Sequence, residues 1–468
     1  MPHAPSSTTS TTRLPVWLPL IGPGLALISA ASAMSLTAVT LPAIAVAFPG
    51  PVLDPNLVVT VFLLAITALL VPMGRAGDIF GARPVLATGL ALFALGALWA
   101  SSAGSLPALI TARALQGIGA SAMIGLPLAL VRATVPEAQI GRWVGAMGTM
   151  SAIGTASGPA LGGLLAGSFG WQAVFLIQIP MPVLALATTL LFLPRPTKPR
   201  QRIGLDLAGA GLLALVLTGG VLLVSDLPGG LAPWHLPGAL GVGLGLALLL
   251  RHETRAQAPL IDLRLIRERL LALSLICNGV VAVIMMGILV VGPFFLILGL
   301  GLSPSAMGLC MAVGPVTSAL SGAPAGALTE RLGPARALIW GACGLCLGTL
   351  AMAGLPMVLG VAGFALAFVS LAIGYQIVQA ALATGVMTAA RAEHQGVTAG
   401  VFTLSRNIGF VLGASGMSAL FAATSDRFAT QLDYSGAAHA AMAMSFSIAT
   451  MLALFVLLMA WRLRKPVH

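Results

Sequence analysis

An all-α membrane protein of fourteen crossings is the fold class the sequence predicts, and three observations predict it. The 468 residues are 58% hydrophobic and only 7% charged, with a mean hydropathy of +1.03, outside the range of a domain that must dissolve in water. Polar breaks divide the chain into fourteen apolar segments, near 16–46, 55–74, 84–101, 106–131, 142–166, 171–193, 207–225, 236–250, 270–298, 305–326, 337–354, 357–388, 398–422 and 438–461. Most reach the ~20 residues that a helix needs to cross the hydrocarbon core. The basic residues crowd into every second break.

The first segment contains AISAASA, whose small residues resemble a cleavage site. Its apolar run, about 30 residues, is much longer than the core of a signal peptide, so it is retained as the first crossing. The next breaks carry the charge. Arg13 precedes the first segment, Arg75 and Arg83 follow the second, and Arg132 and Arg142 follow the fourth. Arg195, Lys198, Arg200 and Arg202 follow the sixth, and Arg251, Arg255, Arg264, Arg267 and Arg269 follow the eighth. Arg331 and Arg336, then Arg391, then Arg462, Arg464 and Lys465 complete the series. Twenty of the 23 basic residues thus lie on one side, Arg427 lies on the other, and Arg113 and Arg406 fall within segments. That asymmetry places both termini in the cytoplasm and the chain in the cytoplasmic (inner) membrane. The net charge of +11 is therefore a record of topology, and no nucleic-acid partner is expected.

Other classes find little support. Cys277, Cys310, Cys343 and Cys346 all fall in apolar segments, and the CxxC at 343–346 has nothing nearby to complete a metal or redox site. No HExxH motif, intramembrane acid or histidine cluster, or sizeable soluble domain suggests an enzyme or receptor. No cofactor or metal is expected.

The chain repeats itself. GRAGDIFGARP, 74–84, and GALTERLGPAR, 326–336, share Gly74/Gly326, Asp78/Glu330 and Gly81/Gly333 at an offset of 252 residues. Repetition of a six-crossing unit predicts a substrate site between the halves. The expected organisation is a tail at 1–15, a six-helix bundle at 16–193, linkers and two inserted helices at 194–269, a second bundle at 270–461 and a tail at 462–468. The charged stretches RPTKPRQRIG and RHETRAQAPLIDLRLIRERL bracket the insertion.

GAMGTMSAIGTASGPALGG, 145–163, is the most distinctive motif. Each glycine costs a soluble helix up to about 1 kcal/mol and an interior proline about 3 kcal/mol. In lipid, bare helix surfaces repay that cost by letting backbones approach. Gly154, Gly158 and Gly162 recur every fourth residue as one smooth stripe, Pro159 bends the helix, and Gly145 falls on another face. Its spacing of Gly145, Gly154, Gly158-Pro159 and Gly162-Gly163 resembles the fifth-crossing antiporter motif of the major facilitator superfamily, in its fourteen-span drug:proton antiporter branch. The resemblance implies that this helix lines the contact between halves and that the direction is export. Tight packing alone is the plain alternative.

Three more stretches are similar to that branch. Gly74, Asp78, Gly81 and Arg83 fit its loop 2–3 signature, a conformational latch, although Ile79 and Ala82 replace the usual basic residues and imply a weaker one. RALQGIGAS resembles the fourth-crossing signature, which implies a role in proton transfer for Arg113, with Gln116 beside it. An intramembrane arginine costs roughly 2.5–3.5 kcal/mol, so it should face the bundle interior or a wet cavity. APLIDLRLIRERL and LSRNIGFVLG, around Arg406, resemble branch segments and carry less chemistry.

One departure is large. SAMSLTAVTLPAI has Ala33 where relatives carry an acid and Ala38 where they carry asparagine. All twelve acids lie in breaks or at segment ends, so a proton-binding carboxylate, which burial would tune, is missing from the midplane. Asp54, Asp226 and Asp78 remain as carriers. Polar groups in apolar surroundings mark the expected cavity: Asn278, Tyr375, Gln376, Gln379, Gln178 and Arg406, with Phe295, Phe294, Met285 and Met286 as an apolar wall. For each, interhelical packing is the alternative. Two buried arginines favour a neutral or anionic compound. The expected function is efflux of a small, amphipathic molecule in exchange for protons, with an importer or facilitator as rival; the lipid bilayer is the remaining partner, and a periplasmic adaptor is left open.

Overall fold

The computed structural model describes residues 17–49, 54–136, 139–193, 206–226, 232–256, 259, 268–389, 395–429 and 431–463. The N-terminal tail, the RPTKPRQRIG linker and most of APLIDLRLIRERL lie outside the described residues. Among the described residues there is no strand, and eleven helices are long and apolar enough to cross a membrane. Helices suit this environment because they satisfy their own backbone groups where no water can.

Helices α1 (Leu18–Ala47), α2 (Leu57–Phe80), α3 (Ala82–Ser101), α4 (Leu106–Gly125), α5 (Pro127–Thr134), α6 (Ile140–Phe169), α7 (Trp171–Leu176) and α8 (Pro180–Phe192) form the first part. Helices α9 (Leu207–Ser225) and α10 (His235–Glu253) follow as a hairpin. Then come α11 (Arg269–Phe294), which ends in a π-helical turn over Phe295–Gly299, α12 (Pro304–Leu332), α13 (Pro334–Ala389), α14 (Gln395–Ala429) and α15 (Tyr434–Leu463).

Several boundaries differ from the sequence reading for backbone reasons. Segment 106–131 is two helices, α4 and α5, with Pro127 opening the second. Segment 171–193 is likewise divided, with Pro180 at the start of α8, since proline lacks the amide that would continue a helix. The two segments 337–354 and 357–388 run together in α13, and the break falls at Gly360 with φ 54° and ψ −129°, beyond Pro356. GRAGD does not lie in a loop. It forms the last turns of α2, which ends only at Gly81 with φ 94°. The repeat behaves identically: Gly326–Glu330 lies in α12, which ends at Gly333 with φ 78°. A side chain at either glycine would meet the steric penalty of positive φ, so a residue without Cβ makes the tight helix-to-helix turn in both halves.

The packing repeats too. α1 packs on α6 as α11 packs on α14; α2 packs on α4 as α12 packs on α13; α3 and α1 contact α8 as α13 and α11 contact α15. Between the two sets, α6 meets α12 and α14 meets α2, while α1 meets α11. The α9–α10 hairpin leans on α2 and α14 from outside, and Leu236, Leu240 and Leu244 of α10 form an exposed apolar stripe of the kind that lipid covers.

Candidate functional site

Glycine positions decide where the two sets touch. A Cβ built on Gly158 would fall 1.8 Å from Ser35 Oγ, and one on Gly154 would fall 2.4 Å from the Ile28 carbonyl, so this stripe packs on α1, with Gly162 against Leu36. The contact across the sets is made by the next residue. A Cβ on Gly163 would lie 2.6 Å from both Gly308 Cα and the Pro304 carbonyl of α12, and one on Gly308 would lie 2.5 Å from the Pro159 carbonyl. Backbone therefore presses on backbone at the Gly170 end of the molecule. At the opposite end of the same two helices, Gly145, Gly148 and Gly326 have nothing within 4 Å. The expectation that Gly145 serves close packing is corrected: it borders open space.

Behind that seal lies a cavity of about 240 Å³. Side chains from α1, α2, α4, α6, α11, α12, α13 and α14 line it. Of the expected cavity residues, Tyr375, Gln376, Arg406 and Met285 do so. Gln376 Nε2 donates to the Ser318 carbonyl at 2.6 Å. Arg406 places its guanidinium 5.9 Å from the Phe410 ring centroid. The Arg406 Nε and Asn407 Nδ2 atoms are buried without a hydrogen-bond partner.

The remaining candidates do not line the cavity. Asn278 Nδ2 donates to the Phe402 carbonyl at 2.8 Å, and Gln379 Nε2 donates to Asn278 Oδ1 at 3.1 Å. They hold α11, α13 and α14 together, because a buried amide needs partners and these are the nearest. Phe295 is fully buried between Phe364, whose ring centroid lies 6.2 Å away, and His439, at 5.1 Å. Gln178 belongs to a second polar cluster. Arg113 is 0% exposed; its Nε donates to the Val58 carbonyl at 3.1 Å and an Nη donates to Gln116 Oε1. Gln116 Nε2 in turn donates to Gln178 Oε1 at 2.8 Å. The Arg113 guanidinium lies 3.9 Å from the centroid of Phe62, whose ring lines the cavity. Arg113 is thus kept in the interior by a carbonyl, the Gln116 amide and an aromatic face, with its other Nη buried and without a partner.

At the helix ends, Asp78 and Glu330 are exposed, and Gly74 has nothing within 4 Å. Arg83 donates to the Leu190 carbonyl at 2.5 Å rather than to Asp78. Ala33 and Ala38 are fully buried. Outside the helices, burial holds the Asp54 carboxyl above its ordinary value of 3.8, although the Asn56 amides donate to it.

The chain and its arrangement of helices match a known family. The sequence profile described as Major Facilitator Superfamily fits residues 24–414. The chain belongs to that superfamily. Its relatives include "Multidrug resistance protein Stp" of Mycobacterium tuberculosis (strain CDC 1551 / Oshkosh), 31% identical over 78% of this chain and 68% of the relative. "Riboflavin transporter RibZ" of Clostridioides difficile (strain 630) is 28% identical over 78% of this chain and 79% of the relative. Among solved structures, the POT family transporter PepTSo superposes with a TM-score of 0.68 at 16% identity, covering 97% of this chain and all of that one, which speaks to fold alone. Membership in the superfamily makes this a multi-pass membrane transporter of small molecules and not an enzyme.

Within the superfamily fold, sequence reasoning missed Asn407, Ser318 and Gly308. Asn407 adjoins Arg406 inside LSRNIGFVLG, so a polar pair in an apolar run was the available signal. Gly308 carried none, because it matters only through the helix it meets.

Proposed function

We propose that the chain exports small molecules by alternating access, two six-helix bundles, 16–193 and 270–461, rocking around the shared cavity in exchange for protons. One observation carries the reading: a cavity lined by helices of both bundles is sealed at one end by Gly163 and Gly308 and unsealed at the other. The paired contacts and the twin turns at Gly81 and Gly333 support the two-bundle division. Fourteen crossings follow if α6, α10 and the second limb of α13 span as well as the eleven; the glycines and hydroxyls of α6 dilute its hydropathy without shortening its 30 residues. With the basic breaks on the cytoplasmic side, the unsealed end faces the cytoplasm, where an exporter collects its substrate. The fifth-crossing motif and a relative named for multidrug resistance support export.

Coupling rests on carboxylates outside the cavity. Asp54 precedes α2, Asp226 caps α9 with His235 Nε2 3.8 Å away, and Asp78 sits in the last turn of α2. Buried Ala33 favours a second reading, an uncoupled facilitator. Proteoliposomes carrying a pH dye inside, challenged with cationic, neutral and anionic compounds, separate the two. Substrate-driven proton movement is expected, and substrate flux without any pH change would favour the facilitator.

A further inference from the structure

The chemistry of the cavity wall points to its cargo. Its charged lining consists of a single residue, Arg406 on α14. Beside it stands Asn407, 6% exposed. Two donors, Arg406 Nε and Asn407 Nδ2, are buried with no acceptor. Neighbouring amides are already engaged: Gln376 donates to Ser318, and Gln379 and Asn278 bond to one another. No carboxylate lines the cavity among the described residues. A second cation, Arg113, lies directly behind the Phe62 wall, 3.9 Å from the ring centroid. Both charges raise the potential of a space walled by hydrocarbon, where electrostatic interactions are screened least. The accessible wall is flat and soft, Tyr375 and Phe410 with Met34 and Met285, a surface suited to stacking rings, while Phe62 and Phe368, 0% exposed, present no open ring face.

We propose that the cavity binds a planar aromatic carboxylate, its anionic group seated on Arg406 and Asn407 and its ring against Tyr375 and Phe410. A carboxylate offers two acceptors in one plane, which match a guanidinium edge and an adjacent amide. An organic cation would meet Arg406 in the wall, the buried Arg113 behind it and no counter-ion. This inference rests on the transport reading for its cavity, and its test separates the two.

Three ligands on one bicyclic frame serve as probes: 2-naphthoate, 2-naphthamide and 2-naphthylmethylammonium, titrated calorimetrically into the full chain in lipid nanodiscs. Naphthoate should bind about tenfold or more tighter than the amide, since a charge-assisted pair replaces a neutral contact, and the ammonium should bind weakest. Arg406→Gln should abolish the preference and Arg406→Lys should retain part of it. Asn407→Asp, an isosteric change that neutralises Arg406, guards against a misfolded Arg406 variant and should likewise remove naphthoate binding. Equal affinity for the three probes, tighter ammonium binding, absence of naphthoate binding at millimolar concentration, or an undiminished preference in Asn407→Asp would overturn the proposal. Counterflow of the same probes in proteoliposomes distinguishes the underlying reading. A bound naphthoate that never crosses the membrane keeps the anion site and sinks transport of this class, whereas a transported ammonium keeps transport and sinks the anion site.

Discussion

Arg113 is a buried cation, and none of the acids among the described residues pairs with it. What holds it is geometry: the Val58 carbonyl, Gln116 and the Phe62 ring occupy three directions around one planar group. Lysine carries the same charge without the plane or the fork. Arg113→Lys should therefore lower stability by about 1.5–3 kcal/mol, the range for hydrogen bonds to charged groups, read as denaturation of the purified protein in micelles. An unchanged midpoint would mean that the cluster does not hold the charge. Asp54 shows the opposite balance. Burial disfavours its charged form and lifts its pKa above 3.8 despite the Asn56 amides. The folded chain then binds that proton more tightly than the unfolded one, so the stabilisation it provides is full at low pH and fades as pH climbs from 3.8 through the raised value. Asp54→Asn keeps an oxygen for Asn56 and removes the buried charge. The variant should melt no lower than the parent at pH 7, and lose any advantage as the pH approaches 4; a lower melting temperature at pH 7 would count against it.

Helix α6 shows how one element divides its surface. Gly154, Gly158 and Gly162 give it a bare stripe for α1, while Gly163 and the Pro159 carbonyl turn toward α12. The two contacts have different consequences. Under the proposed rocking, the first contact, between α1 and α6, is expected to persist, whereas the second, between α6 and α12, must part if that end of the cavity is to open. A methyl group on Gly158 would sit 1.8 Å from Ser35 Oγ, whereas one on Gly145 would meet nothing within 4 Å. Gly158→Ala should thus cut efflux in whole cells severalfold, since overpacking costs roughly 1–3 kcal/mol, and Gly145→Ala should leave it intact. Equal effects at both positions would show that spacing, and not contact, explains the motif.

At the scale of the molecule, the same contacts recur in each half, and the halves meet at α6–α12 through bare glycine surfaces and at α2–α14 and α1–α11 through a shared apolar core. Under the proposed rigid-body exchange the glycine contact would part at one end while the apolar contacts re-pack. Spin labels at Phe169 and Ser303 report the sealed end, and labels at Trp143 and Ala327 the unsealed one. Cycling substrate and pH should lengthen the first distance while shortening the second. Two distances that stay constant under all conditions, in a protein shown to transport, would refute rocking of the bundles.

Much of this was legible in the chain itself. Hydropathy determined the helical membrane class, because hydrocarbon leaves a backbone no partner but itself, and the repeated glycine-acid-glycine pattern marked the twin turns at Gly81 and Gly333. Local signals also identified Tyr375, Gln376 and Arg406 as polar groups in apolar company. Their neighbours were beyond reach. Gln178 joins Gln116 beside Arg113, Gln379 donates to Asn278, and Gly163 rather than the regular stripe meets α12. Periodicity assigns a residue to a face of its helix, but only the packing of helices distant in sequence decides what that face touches, and hence whether a buried polar group is already satisfied or left free for a ligand.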